Sequence, residues 1–184
     1  MNRTSLLALA GILTLSAPQA AHAELPVGTR APNFATQGAL AGRDFAFNLR
    51  TALAQGPVVL YFYPRAFTQG CTLEANAFAE AMPRFRAAGA SVIGLSADNL
   101  ETLRRFSREE CRDAFPVAIA SREIIRAYDV GLRVAGVNTG VSRRTSYVIA
   151  RDGRIRMVHS DMSYRDHVRL TLAAVEELRR PAAR

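Results

Sequence analysis

The stretch Val58-Val59-Leu60-Tyr61-Phe62-Tyr63-Pro64-Arg65-Ala66-Phe67-Thr68-Gln69-Gly70-Cys71-Thr72-Leu73-Glu74-Ala75 decides the fold. Val58 to Tyr63 is apolar, β-branched and aromatic, with Gly56-Pro57 before it and Pro64 after it, the pattern of a central buried strand. From Thr72 onward, Phe78, Met82 and Phe85 recur at offsets of four and three, the spacing of one helix face. The unit is therefore a strand, a short polar turn and a helix, with Cys71 in the first helical turn. Unpaired backbone N–H groups and the positive end of the helix dipole stabilise an anion there, which favours a reactive thiolate. A lone cysteine is also commonly a small buried hydrophobe. Position alone leaves both readings open, and the flanking residues have to decide.

Toward the N-terminus, Met1–Ala23 reads as a segment apart from the fold. Asn2-Arg3 is a short basic start, Leu6–Leu15 is an apolar run, and Ala21-His22-Ala23 has the small-x-small form of a cleavage site. This is the pattern of a secretory signal peptide cleaved after Ala23, and it implies a periplasmic or secreted protein. The apolar run is shorter than the ~20 residues a spanning helix needs, so stable membrane insertion after cleavage is not expected. Residues 24–184 are then one domain, long enough for a substantial core.

Composition excludes some chemistry. All 24 basic residues are arginine, and the net charge is +8. Without a lysine there is no Schiff-base nucleophile and no phosphate-binding P-loop. The arginines are scattered in pairs at most, as on a solvated surface, so nucleic-acid binding is not expected. His159 and His167 are far apart and have no cysteine or carboxylate at metal-ligand spacing. They read as ordinary surface or strand-end histidines, and neither a metal nor a cofactor is expected.

Downstream of the opening unit the elements alternate. Phe45–Asn48 reads as an early strand and Leu49–Ala54 as a short helix. Pro83 should kink the Cys71 helix or split off its last turn, and Gly89 should end it. Ser91–Ser96 is a strand, and Asp98, with Glu101 three residues on, should cap the next helix. Phe115–Ala120 is a strand, Ser121 caps a short helix, and Asp129–Arg143 reads as a long loop. Arg144–Ile149 and Arg154–His159 form a hairpin about Asp152-Gly153. Ser163 should cap a closing helix with Val168, Leu172 and Val175 inward. This order is thioredoxin-like: an α/β fold with a central mixed β-sheet flanked by helices on both faces.

The spacing Pro64-x3-Thr68-x2-Cys71 resembles the active-site signature of the peroxiredoxins, and Thr72 and Glu74 resemble its bacterioferritin-comigratory, or Q-type, subgroup. Val27-Gly28-Thr29-Arg30-Ala31-Pro32-Asn33-Phe34 is similar to the family's N-terminal G-x-x-A-P-D-F segment, with Asn33 in place of aspartate. Arg144-Thr145-Ser146-Tyr147-Val148-Ile149 is similar to the strand that carries its catalytic arginine. The resemblance spans roughly Leu25 to Leu178. Gln69 departs from the subgroup, which usually has proline there. What the resemblance implies is a thiol peroxidase. Cys71 attacks a hydroperoxide, Pro64 shields the thiolate, Thr68 holds the peroxide, and Arg144 stabilises charge. Glu74 either orients Arg144 or forms a helix-surface ion pair.

Several further expectations follow from that resemblance. A thioredoxin-like reductant supplies the electrons, and the protein is a monomer or homodimer. Many Q-type relatives carry a resolving cysteine five residues after the reactive one, where this chain has Asn76. Others carry it on the next helix, near Ser107. Cys111 lies one turn beyond, at the frayed end of that helix, and is the candidate resolving residue for an intramolecular Cys71–Cys111 disulfide. Both helix ends must then unfold locally for the two to meet. Two other readings stay open. A thiol–disulfide oxidoreductase would want Cys-x-x-Cys, whose first position is Thr68 here. A non-catalytic domain would use a permanent Cys71–Cys111 disulfide as a staple.

Overall fold

No residue of β3 (Val58–Phe62) is exposed, and its two faces divide the molecule. In the computed structural model, which describes residues 24–179, Val59 and Tyr61 enter one apolar core, and Val58, Leu60 and Phe62 enter another. This is the period-two alternation of an extended chain, and it demands helices on both sides. The first core is closed by α2 (Gln69–Ala87), α3 (Leu100–Glu109) and α5 (His167–Arg179). The second is closed by α1 (Leu49–Gln55) and α4 (Arg122–Ala127). The expected signal peptide Met1–Ala23 and tail residues 180–184 lie outside the described residues.

Around β3 stand β1 (Ala35–Leu40), β2 (Arg43–Asn48), β4 (Ser91–Ser96), β5 (Val117–Ile119), β8 (Thr145–Ile149) and β9 (Ile155–Ser160). They form one seven-stranded sheet ordered β2-β1-β5-β4-β3-β8-β9. β3 is parallel to β4 and β4 to β5, whereas the β1–β2, β1–β5, β3–β8 and β8–β9 pairings are antiparallel. The sheet is thus mixed, central and covered on both faces, the thioredoxin-like architecture that the element order implies. Gly38 makes the β1–β5 crossing possible, because a Cβ there would lie 2.2 Å from the Val117 carbonyl oxygen.

The structure corrects four details of the sequence reading. α2 runs through Pro83 as a single helix of 19 residues. Pro83 is exposed, so water can satisfy the carbonyl it leaves unpaired, while Met82 and Phe85 keep the last turn docked. The helix then ends in a Schellman turn, with Gly89 at φ +75° and the Ala90 N–H bonded to the Phe85 carbonyl at 2.9 Å. Segment Asp129–Arg143 is not a loop throughout. It contains the hairpin β6 (Gly131–Val134) and β7 (Val137–Ser142), turned by Ala135 and Gly136 at φ 48° and 79°. An Ala-Gly turn lacks the Asn-Gly signature that would have marked it. The cap of α3 is Asn99, whose Oδ1 accepts from the Thr102 N–H at 2.9 Å, not Asp98. The closing helix begins at His167, so Ser163 stands in the preceding turn, where its N–H meets Asp161 Oδ1 at 2.8 Å.

The helix that carries Cys71 is anchored mainly by ring packing. Phe78 is fully buried, and its ring stacks on Tyr61 of β3 with centroids 4.4 Å apart. We expect Phe78→Ala to lower unfolding free energy by ~3–5 kcal/mol, the usual cost of emptying a buried phenyl site. Urea denaturation would show it as a lower midpoint at unchanged slope, and an unchanged midpoint would mean that α2 is held by other contacts.

Candidate active site

Beyond β3 the chain turns sharply, and Tyr63, Ala66 and Phe67 are each held by residues from other parts of the chain. The Tyr63 N–H donates to the Leu95 carbonyl at 2.9 Å, and Ser142 Oγ donates to the Tyr63 carbonyl at 2.9 Å. The Ala66 N–H donates to Asp98 Oδ2 at 2.7 Å, and Ser96 Oγ donates to the same carboxylate at 2.8 Å. Asp98 thus serves the turn instead of capping a helix. Phe67 is left-handed, at φ 61°, a conformation that a bulky side chain adopts only where its surroundings enforce it. Its ring meets Phe106 edge-on at 5.2 Å and lies beneath the Arg105 guanidinium at 5.0 Å.

This turn delivers the chain to the start of α2. Thr68 is the N-cap residue, but its hydroxyl donates back to the Arg65 carbonyl at 3.1 Å instead of capping the helix. Thr68 is exposed and Pro64 half-buried, while Cys71, in the first turn, is only 2% exposed. The thiol therefore sits at the floor of the turn, next to N–H groups that have no intrahelical partner.

Arg144 arrives from the sheet. Val148 enters the α2-side core, and the two-residue period puts Ser146 and Arg144 on the same face. The guanidinium is held by three acceptors from three parts of the chain. Nη2 lies 3.4 Å from Cys71 Sγ, Nε donates to the Met162 carbonyl at 3.0 Å, and Nη1 donates to Glu74 Oε2. Gly70 leaves it room, since a Cβ there would come within 3.2 Å of Nη2. Glu74 is fully buried, so its pairing with Arg144 is internal and not a helix-surface contact. Burial pushes the Glu74 carboxyl up to about 8 despite the opposing pull of Arg144. Burial disfavours the Arg144 charge, but Glu74 and Cys71 outweigh it and hold the guanidinium above its ordinary value.

His167 also lies at this site, contrary to its reading as a surface or strand-end residue, and His159, near the end of β9, packs against it. His167 is fully buried, its ring 4.5 Å from that of His159. Its Nδ1 lies 2.8 Å from Ser146 Oγ and its Nε2 2.9 Å from the Asp161 carbonyl oxygen. Periodicity gave no sign of this, because Ser146 and His167 stand on different elements that only the packing of α5 on β8 brings together. Asn33, the departure from the N-terminal motif, keeps an acceptor in place, its Oδ1 taking the Arg50 N–H at 3.0 Å.

Cys71 and Cys111 are both free and buried, so no disulfide staple joins them here. Cys111 is not at a frayed end. It is fully buried, and its N–H is bonded to the Phe106 carbonyl at 3.0 Å. Burial pushes its thiol well up, with Glu110 and Asp113 adding to the effect. Ser107 is buried too, its hydroxyl accepting from the Gly42 N–H at 2.9 Å. Asn76 ties α2 to this end of α3 through a 3.0 Å bond to Glu110 Oε2.

Burial pulls His167 down from 6.5 to about 4. Between those values the unfolded chain binds a proton that the folded chain refuses, so this residue lowers stability as pH falls through the window. His167→Gln should flatten the acid limb of stability between pH 6.5 and 4. Urea titrations of both proteins across that range would check it, and parallel curves would show that His167 does not titrate on unfolding.

Residues 27–158 match the model of the AhpC/TSA family. The chain is 29% identical over 124 residues to the chloroplastic peroxiredoxin Q of Sedum lineare, a stretch covering 67% of this chain and 65% of that relative's length. Its fold superposes on the crystal structure of peroxidoxin BcpB from Mycobacterium tuberculosis with a TM-score of 0.72 at 29% identity, covering 82% of this chain and 96% of that one. The bacterioferritin comigratory protein of Xanthomonas campestris gives a TM-score of 0.69 at 28% identity, covering 78% and 92%. With the Pro64–Thr68–Cys71 turn and Arg144 in one site and the family model matched over most of the described chain, the protein belongs to the AhpC/TSA family, the peroxiredoxins.

Proposed function

We propose that this protein is a thiol peroxidase that reduces hydrogen peroxide or organic hydroperoxides through Cys71. The observation that carries this reading is the Arg144 guanidinium, 3.4 Å from Cys71 Sγ at the start of α2 and fixed there by two further acceptors. The alkyl peroxide reduction described for the Xanthomonas campestris protein supports the organic substrates.

In this mechanism the Cys71 thiolate attacks one oxygen of the hydroperoxide, the O–O bond breaks, and the remaining oxygen leaves as water or alcohol after taking a proton. Arg144 faces both the thiolate and the developing negative oxygen, a preorganised electrostatic clamp. Pro64 shields the thiolate. Thr68 retains acceptor capacity for the peroxide hydroxyl, and the N–H groups near Gly70 and Cys71 polarise its oxygen. Cys71 becomes a sulfenic acid, which a second thiol must condense with, losing water, before further oxidation.

Cys111 is the resolving thiol in this reading, forming a disulfide with Cys71 that a thioredoxin-like donor then reduces. It must leave its buried place to react. The segment after it is strained, with Arg112 and Asp113 both left-handed at φ 51° and 57°, and such strain favours local opening. The leader-like Met1–Ala23 supports export, with residues 24–184 as the mature domain acting in the periplasm or outside the cell. Among the described residues no helix is long and apolar enough to cross a membrane.

Cys71→Ser should abolish peroxide turnover and keep the fold, because a hydroxyl does not ionise near neutral pH. Arg144→Met should slow Cys71 oxidation by about a hundredfold in rate if it supplies a typical charge-stabilising contact. Peroxide consumption by the serine variant at the parent rate would overturn the proposal. Resolution is tested by mass spectrometry after one equivalent of peroxide. The parent should lose two hydrogens and run as a monomer on a non-reducing gel, whereas Cys111→Ser should over-oxidise. A parent that accumulates only sulfenic or sulfinic acid would remove Cys111 from the cycle.

A further inference from the structure

The Arg144 guanidinium is aimed at Cys71 partly by a backbone carbonyl that belongs to an exposed turn. Met162, whose oxygen accepts from Arg144 Nε at 3.0 Å, stands between β9 and α5, and its own side chain is 52% exposed. An exposed turn holds a carbonyl in a fixed direction only if something buried pins it. The buried group beneath this turn is His167. Its Nε2 lies 2.9 Å from the carbonyl oxygen of Asp161, the residue immediately before Met162. A carbonyl oxygen can only accept, so Nε2 carries the hydrogen and donates it. The other nitrogen, Nδ1, is then a bare acceptor and takes the Ser146 hydroxyl hydrogen at 2.8 Å.

The imidazole thus spans from β8, two residues along from Arg144, to the turn that holds Nε of the same guanidinium. The groups that face it are Ser146 from β8, His159 from β9, the Asp161 carbonyl, and from α2 the Glu74 carboxyl, whose Oε1 is 3.9 Å from Nδ1 and lacks a hydrogen-bond partner of its own. Burial keeps the ring neutral down to about 4, so the arrangement persists wherever the protein works near neutral pH.

We propose that His167 is a positioning residue for the Arg144 clamp: in its Nε2–H tautomer it fixes the Asp161–Met162 turn, and the Met162 carbonyl in turn directs the guanidinium at Cys71. The inference rests on the peroxidase reading above and names a residue on which that site depends. Loss of the ring removes the buried donor to the Asp161 carbonyl and leaves the turn to its own short-range bonds and to Arg144 itself, so the guanidinium gains freedom to swing away from the sulfur. Glutamine at 167 places an amide N–H near the position of Nε2 and should restore the tether, whereas leucine fills similar volume without a donor.

The test follows Cys71 oxidation by hydrogen peroxide in a stopped-flow instrument across pH for the parent, His167→Leu and His167→Gln, with thermal unfolding run alongside. Leucine should slow oxidation by about five- to tenfold, the rate equivalent of one positioning hydrogen bond, and shift the pH profile upward. Glutamine should return both toward the parent. A leucine variant that keeps the parent rate and profile overturns the role, as does a pair of variants that lose only thermal stability. Nitrogen-15 spectra of the unmodified protein test it without any substitution: His167 should appear as the neutral Nε2–H tautomer, and the Nδ1–H form would refute the tether. Failure of the parent to be oxidised at Cys71 overturns the peroxidase reading itself, whereas a reactive parent with an equally reactive leucine variant overturns only the part given to His167.

Discussion

A guanidinium, a carboxyl and a thiol share a space from which water is almost wholly excluded, with Arg144 4% exposed, Glu74 0% and Cys71 2%. Burying any one of these as an isolated charge would cost several kcal/mol, and their mutual arrangement is what makes the burial tolerable. Glu74 gives Arg144 an acceptor on one side and Met162 gives it another, so the edge that faces Cys71 is the one left for chemistry. Burial pushes the Glu74 carboxyl up while Arg144 pulls it back down, so the guanidinium attracts both the carboxylate and the sulfur. Low dielectric strengthens that attraction beyond what the same pair would have in water.

The sheet is what brings the three groups together. β3 is central, so the turn after it opens at the carboxyl end of the parallel strands, where α/β sheets place their ligand sites. β8 lies antiparallel beside β3 with Phe62 opposite Thr145, which sets Arg144 level with the start of the turn. A one-residue slip of that pairing would send Arg144 to the opposite core. The aromatic row Phe78, Tyr61, Tyr63 and Phe106, stacked at 4.4, 5.4 and 5.4 Å, fixes α2 and α3 against the same face.

The second cysteine belongs to a different regime. Cys71 sits at a helix start beside the Arg144 guanidinium, whereas Cys111 is packed among Phe106, Phe115 and neighbouring apolar groups, and burial pushes its thiol well up. The two therefore sit in different surroundings within one core, and any exchange between them depends on the backbone after α3. Two consecutive left-handed residues there, together with the Asn76–Glu110 bond, make that segment both strained and tied down.

Local rules were enough for the opening unit. The apolar run at Val58–Tyr63, the helical spacing after Thr72 and the Asp152-Gly153 turn each depend on neighbours within a few residues, and the elements formed where those patterns lie. The Pro64–Thr68–Cys71 spacing and the strand start at Arg144 were legible through their resemblance to the family's motifs, which are contiguous in the chain. Tertiary structure decided what depends on distant partners. β1 is built from small and polar residues with little strand character of their own and forms by pairing with β2 and β5. Asp98 had a plausible local role as a cap but found a stronger partner in the Ala66 N–H across 32 residues. Glu74 and Arg144 are 70 residues apart, and Ser146 and His167 are 21 apart, so their pairing follows from strand register and the docking of α5. A buried polar group takes whichever partner the packing brings within reach, and packing is a property of the whole chain.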